Sequence, residues 1–599
     1  MSRATREVRL GSADIRVETR GDGSILVRCP QPLGPYPARL TERLEHWAAA
    51  APHRVFIAQR AGYDWRCVTY AEALAAVRAL GQALLDRRLS SERPIAILSG
   101  NDIEHALLGL AALHVGVPYA PISVAYSQLS ADFGKLRYII DLLTPGLVFA
   151  ASGSRFAAAI RAVVPDDTEI AVTEDPIDGR RVTAFADLAA TTPTEAVDVA
   201  AAAVGADTVG KILFTSGSTG QPKGVINTQR MLCSNQRMLH EFFAFAQDEP
   251  PVLVDWLPWN HTFGGNHNVG LVLYNGGSLY IDHGKPMPKG IEETVRNLRE
   301  IAPTIYFNVP KGFEELIPYL RREPTLRRTF FSRLNMMFYA GASLSQHVWD
   351  ALDSLAVQTT GQRVVMITGL GSTETGPFAL ATTEATAGAG HVGLPVPGVD
   401  LKLIPNAGKL EALIAGPSIT PGYWRNEAMT RAVFDEEGFY RLGDALSFID
   451  PAQPLKGFRF NGRIAEDFKL ATGTWVNVGT LRLHLITALS PLVRDVVIAG
   501  HDRDYVAILA LPEDSARDDP RLHAKLRDAL TALAQEATGS STRVLRAVLM
   551  DAPLSIDRGE VTDKGSINQR AVIAHRADLV AALYADPPPP HVITIGSPA

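Results

Sequence analysis

Cysteine is nearly missing: Cys29, Cys67 and Cys233 are the only three in 599 residues, far apart and without CxxC spacing. That usage excludes a disulfide framework and a cysteine zinc site, and fits reduced thiols in small buried positions. Long apolar runs are missing as well. The most apolar stretch, AILSGNDIEHALLGLAALHVGVPYA, is broken by Asp102, Glu104, His105 and Pro118 before it reaches the roughly 20 residues a membrane span needs. There is no excess of positive charge. The 58 Lys and Arg face 64 Asp and Glu, a net charge of -6, which offers no stripe for a phosphate backbone and excludes nucleic acid as a partner class. The opening MSRATREVRLGSADIRVE scatters charges through a segment with no apolar core. It reads as neither signal peptide nor anchor, and the expected location is the cytoplasm.

What is present is ordinary globular composition, 46% hydrophobic, 20% charged and 7% aromatic, over a length that calls for at least two domains. Residues 1 to 40 alternate short apolar runs with Gly and Pro and read as strands forming an edge or cover. Thr69 and Glu72 have capping-box spacing ahead of the stripe Leu74, Val77, Leu80 and Leu84, which predicts a helix facing a core. The run PIAILS, a helix capped at Asn101 and stopped at Gly116, and a second apolar segment make a strand–helix–strand unit. The alternation continues through GLVFA, KILFT, PVLVDWLP, GSLYID, PTIYFNV, NMMFYA and RVVMIT, runs suited to parallel strands buried on both faces.

After about Gly393 brief alternating strands divided by Gly, Pro and Asn predict a small antiparallel barrel. Beyond Arg463, VVIAG, YVAILALP and the helical DPRLHAKLRDALTALAQEA suffice for a separate α+β unit. The fold class expected is thus α/β: a large N-terminal domain of α/β subdomains with a small β-barrel (1–462), a smaller, mobile α+β C-terminal domain (463–586), and a disordered, proline-led tail (587–599).

The most informative segment is LFTSGSTGQPKGV, residues 213 to 225. It places Thr215, Ser216, Ser218 and Thr219 around Gly217 and Gly220, ahead of Lys223. Glycines let backbone N–H groups turn toward one anion while hydroxyls and a lysine add donors and charge, as a triphosphate-holding loop requires. It is not a Walker A loop, since Pro222 precedes the lysine and Gly224 follows it.

The segment resembles the phosphate-loop signature of the adenylate-forming enzymes, which include acyl- and aryl-CoA synthetases, peptide-synthetase adenylation domains and luciferases. The resemblance implies further elements, and they follow in order. GLGSTETGP, containing Gly371, resembles the element whose hydroxyl and carboxylate, here Thr373 and Glu374, serve phosphate and Mg²⁺. A hard oxygen ligand suits Mg²⁺, which offsets charge developing on pyrophosphate. YRLGD supplies Asp444 for the ribose hydroxyls. FYAGASLS resembles the adenine-binding strand, with Gly341 and Ala342 admitting the base. LPWNHTFG places His261 on the substrate side, and GRIAEDFKLATGTWVNVG resembles the hinge, with Arg463 on the nucleotide. The matches run from about Thr41 to Arg570.

The chain also departs from the family pattern. Ala465, followed by Glu466 and Asp467, stands where hinges carry Asp or Lys, Thr480 stands where a glutamate is common, and the C-terminal motif reads VTDKGSINQR, leaving Lys564 as the nearby ammonium. Together, AEDFKLATGTWV and TDKGSINQR resemble the feruloyl-CoA synthase branch.

The implied activity is an ATP-dependent acid–thiol ligase: a carboxylate attacks the α-phosphate to give acyl-AMP, and the thiol of coenzyme A then displaces AMP. Lys564, Glu374, Thr373 and His261 are the expected catalytic groups. Ferulate or a related hydroxycinnamate is the expected acid, in a flat slot formed by His261, Tyr339, Pro377 and Phe378. The alternatives are a CoA ligase for another aryl or fatty acid and a nucleotide-binding protein without ligase activity. A hydrolase is excluded by the lack of a Gly-x-Ser-x-Gly elbow, and a zinc enzyme by the lack of HExxH.

Overall fold

A computed structural model describes residues 4–11, 14–216, 221–342, 344–383, 386–388, 390–406, 408–562 and 565–595. The apolar runs of the first half become the central strands of three sheets. In a seven-stranded sheet, Ile95–Ile97 pairs in parallel with Tyr119–Pro121 and with Leu147–Ser152. Val209–Ser216 continues it and turns back antiparallel into the edge strand Pro222–Thr228. A four-stranded sheet carries Val252–Asp255, Ser278–Ile281, Val55–Ala61 and Asp64–Thr69. In an eleven-stranded sheet the parallel strands Ile305–Asn308, Met336–Tyr339 and Val365–Leu370 run on, through Leu380–Ala381, into the antiparallel strands of residues 391–463.

The antiparallel region expected as a small barrel within the large domain is therefore part of one long ladder. Among the described residues its outer edge is Arg16–Thr19, next to Ile25–Arg28, and no pairing closes it on itself. The N-terminal strands do cover an edge, as their pattern predicts, with Ile25–Arg28 paired to Asp400–Asn406.

Helices fill the spaces between these sheets. The helix Tyr70–Asp86 starts at the Thr69–Glu72 capping box and buries Val77, Leu80 and Leu84 completely, each contributing about 1.5–3 kcal/mol. The next helix, Ile103–Val115, is buried all round and ends on Gly116 at φ 76°. Its cap is Asp102, whose carboxylate accepts the His105 N–H at 2.6 Å. Asn101, the expected cap, instead bridges the Leu257 carbonyl and the Trp259 N–H. Of the three cysteines only Cys233 is buried and Cys67 is exposed, so burial does not explain all of them.

The smaller C-terminal domain is a four-stranded sheet, Val493–Ala499, Val506–Pro512, Val544–Leu549 and Ile593–Thr594, with helices Val478–Leu489 and Leu522–Glu536 on one face. The tail expected to be disordered from 587 onward instead supplies that fourth strand, with Ile593 and Ile595 buried in the core. Two apolar side chains at a sheet edge outweigh the four prolines before them. No helix among the described residues is long and apolar enough to cross a membrane.

Candidate active site

The hairpin of Val209–Ser216 and Pro222–Thr228 sets Thr215 opposite Lys223 and Ser216 opposite Pro222. Gly217, Ser218, Thr219 and Gly220 at its tip lie outside the described residues, as does Lys564. The Thr215 hydroxyl is buried without a hydrogen-bond partner among the described residues. Lys223 projects from the returning strand toward a short helical turn, Thr373–Thr375, that follows the strand Val365–Leu370. Its Nζ stands 3.6 Å from Glu374 Oε1 and donates to Tyr423 Oη at 3.2 Å. The Tyr423 hydroxyl donates to the same Glu374 oxygen at 3.0 Å and meets the Tyr440 hydroxyl at 3.2 Å. The expected phosphate lysine and the expected metal carboxylate thus face each other.

The turn that presents Thr373 and Glu374, both 5% exposed, is clamped from behind. Asn235, on the helix Gln229–Phe242, donates to the Phe378 carbonyl at 2.8 Å and accepts the Phe378 N–H at 3.1 Å. Gly371 is required at its position: a Cβ there would stand 1.5 Å from the Pro377 carbonyl oxygen. Among the described residues no three His, Cys, Asp or Glu side chains converge as a metal cage. Glu374 alone fits the way Mg²⁺ is held by one carboxylate together with the oxygens of a bound triphosphate.

Asp444 lies on the strand Tyr440–Phe448 directly opposite Arg463, whose Nε is 3.5 Å from the carboxylate. Burial pushes the Asp444 carboxyl up to about 6 against the pull of Arg463, and the Glu466 and Glu374 charges add to the rise. Gly341, at φ 88° just beyond the strand Met336–Tyr339, takes a conformation that side chains avoid, and Ala342 after it is exposed.

His261 is half-buried at the head of a π-helical turn, Phe263–Asn268, with the Phe263 N–H directed at its Nδ1 at 3.4 Å. Single π turns of this kind are enriched at functional sites. Phe378 and Tyr339, expected to wall one slot, lie in different cores. Strand alternation sends Tyr339 to the helical face beside Trp349. Phe378 joins Phe243, Phe263, Phe307 and Phe338 around His267. Tyr339 is therefore removed from the expected slot, and Pro377, half-buried, stays beside Phe378.

His267 is 2% exposed, its Nδ1 is 2.8 Å from Asn268 Oδ1, and its Nε2 has no hydrogen-bond partner among the described residues. Burial holds the imidazole down to about 4, so it is neutral at pH 7. Asn268 donates in turn to Asp255 Oδ2 at 3.0 Å, and the Leu257 N–H donates to Oδ1 at 3.2 Å. Burial pushes that carboxyl up to about 7.

The C-terminal domain touches the large domain at several points. Lys409 pairs with Asp467, and Asn477 donates to Asn461 Oδ1 at 2.9 Å. Ser130 donates to Asp557 Oδ1 at 2.6 Å, and Lys135 donates to the Ile556 carbonyl.

Tyr423, Tyr440, Asn235 and His267 are absent from the expected set. Tyr440 opens the YRLGD segment and His267 lies six residues past His261, so two of the four sit beside elements already singled out.

Residues 44–424 match the family described as AMP-binding enzyme, and residues 468–587 match the AMP-binding enzyme C-terminal domain. The carboxylic acid reductase of Mycobacterium marinum is 24% identical over 87% of this chain, which spans 46% of that protein. The 3-hydroxybenzoate–CoA ligase of Aromatoleum sp. is 24% identical over 78% of this chain and 86% of its own length. The crystal structure of ATP-bound MatB from Rhodopseudomonas palustris superposes with a TM-score of 0.69 at 23% identity, covering 90% of this chain and 99% of that one. The chain belongs to the AMP-binding enzyme family.

Proposed function

We propose that the protein is an ATP-dependent acid–thiol ligase that activates an aromatic carboxylic acid as its acyl-AMP and passes the acyl group to coenzyme A. The observation that carries this reading is the meeting of Lys223, Glu374 and Tyr423 beside the phosphate-loop hairpin, with Asp444 close enough to feel the Glu374 charge. In this reading the 215–223 hairpin holds the triphosphate, with Thr373 adding a hydroxyl. Asp444 accepts the ribose hydroxyls, with Arg463 alongside, and Gly341 and Ala342 admit the adenine. Mg²⁺ bound at Glu374 would neutralise charge on the departing pyrophosphate.

The nucleophilic carboxylate and the triphosphate repel, so the chain must position them and screen their charges. Lys223 does so from the hairpin, and Lys564 is assigned to bridge carboxylate and phosphate. Domain 463–595 would move between the two half-reactions about the segment after Arg463. The Asp557 and Ile556 contacts to residues 130–135 hold the chain just before Lys564 against the large domain.

Relatives named for 3-hydroxybenzoate and anthranilate support an aryl acid, and the TDKGSINQR and AEDFKL segments support ferulate or a near hydroxycinnamate. The test is ATP–pyrophosphate exchange across hydroxycinnamates, benzoates and fatty acids, followed by thioester formation. A higher kcat/KM for octanoate than for ferulate overturns the aryl assignment. Absence of exchange with every acid overturns the ligase itself. Lys564→Ala should be slow from free acid yet still convert supplied acyl-AMP to the thioester.

A further inference from the structure

We propose that His267 sets substrate choice by accepting a hydrogen bond, through Nε2, from a hydroxyl or amino group on the ring of the acid. This rests on the aryl-ligase reading and deepens it. The argument begins at Asp255, both of whose carboxylate oxygens accept N–H donors, Oδ2 from the Asn268 side chain and Oδ1 from Leu257. With its NH₂ committed to Asp255, the Asn268 amide turns its oxygen toward His267 Nδ1 at 2.8 Å. An amide oxygen only accepts, so Nδ1 carries the proton and Nε2 is left as a bare lone pair.

That lone pair has no partner among the described residues, although His267 is 2% exposed. A buried acceptor without a donor is costly, and native proteins keep few of them without a reason. The surroundings of His267 give that reason a chemical shape. Five phenyl rings, those of Phe243, Phe263, Phe307, Phe338 and Phe378, lie with centroids 5.0 to 6.2 Å from the imidazole. They meet it edge-on or tilted, so the polar atom set among these rings without a partner among the described residues is an acceptor. An aromatic acid with a ring-borne donor satisfies both the rings and Nε2, whereas the unsubstituted acid leaves Nε2 unpaired and an aliphatic chain also forfeits the ring contacts. Phe378 joins the cage to the site, since it follows the Glu374 turn and is fixed to Asn235 through both its N–H and its carbonyl. Asp255 and Asn268 are then positioning residues that fix the tautomer.

The experiment measures acid-dependent pyrophosphate exchange by the full chain with cinnamate, 3-hydroxycinnamate and 4-hydroxycinnamate, in wild type and in His267→Phe. The expected result is a kcat/KM roughly ten-fold or more higher for the better hydroxycinnamate than for cinnamate in wild type. In His267→Phe, which keeps the ring and removes the acceptor, that ratio falls to near one while KM for ATP stays within about two-fold. Equal rates for the three acids in wild type, or a His267→Phe enzyme that keeps the wild-type ratio, overturn the inference and leave the ligase reading standing. No exchange with any aryl acid overturns both. If His267→Phe does not fold, His267→Leu serves in its place, and if that fails as well the wild-type ratio decides.

Discussion

Glu374 receives the Tyr423 hydroxyl and faces the Lys223 ammonium through one oxygen, so its charge is held in place before any substrate arrives. Preorganised charge of this kind is worth on the order of 10²-fold or more in rate. Glu374→Gln should lose that much in pyrophosphate exchange, and near-normal exchange would refute its role. Asp444 gives a prediction of the opposite kind. An acid whose pKa rises on folding weakens the folded state above that pKa, so this carboxylate costs stability above about pH 6, and the cost fades as the pH falls toward 4. Asp444→Asn should therefore melt higher than wild type at pH 7.5 while its KM for ATP rises. In wild type the KM for ATP should climb as the pH drops below about 6, a dependence the variant lacks; a flat wild-type profile would remove Asp444 from ribose binding. That Lys223 and Glu374 face each other agrees with a sequence in which Lys223, Glu374 and Asp444 each lie in a short segment whose composition suggests its chemistry. Tyr423 and Asn235 were not legible there, because their contacts to Glu374 and Phe378 span 49 and 143 positions, and nothing local in a sequence marks a partner that distant.

At the scale of single elements, the apolar runs translated into strands almost one for one, because a strand buried on both faces needs little more than a bounded run of apolar residues. The capping box at Thr69 and the Gly116 stop were equally local. The choice of Asp102 over Asn101 was not, since both residues can cap and only the pull of the Leu257 and Trp259 backbone on Asn101 decides between them. Burial pushes the Asp102 carboxyl up to about 7, so the cap is bought at a cost that an amide would avoid. Asp102→Asn should keep or raise the denaturation midpoint, whereas Asp102→Ala should lose about 1 kcal/mol in chemical denaturation. Equal loss in both would mean that the carboxylate, not the cap, matters there. The π-helical turn Phe263–Asn268 was out of reach for a physical reason: one extra residue per turn disturbs the helical period, and Gly264 and Gly265 permit it without leaving a pattern. Cβ atoms there would strike the Leu257 and Trp259 carbonyls at 2.3 and 2.2 Å.

Across the whole molecule, the sheet order joins segments that the linear sequence keeps apart. The expected barrel became the far half of an eleven-stranded ladder, since alternation reports a half-buried strand and not which strand lies beside it. The proline-led composition of the tail predicts disorder, and the few apolar residues after the prolines overrule it. Val592, Ile593 and Ile595 are buried, at roughly 1.5–3 kcal/mol each. Truncation after residue 590 should accordingly lower the melting temperature of the C-terminal domain and open it to protease, while unchanged proteolysis would show the strand to be dispensable. At the other end of the chain, Arg28 pairs with Asp400. The ribosome must add roughly 370 residues between making the first strands and making their partner, about 20 to 75 seconds at ordinary elongation speeds. Ile25–Arg28 has Arg16–Thr19 on one side from the start, but its other edge, with Ile25, Leu26 and Val27, stays open on the growing chain for that whole interval.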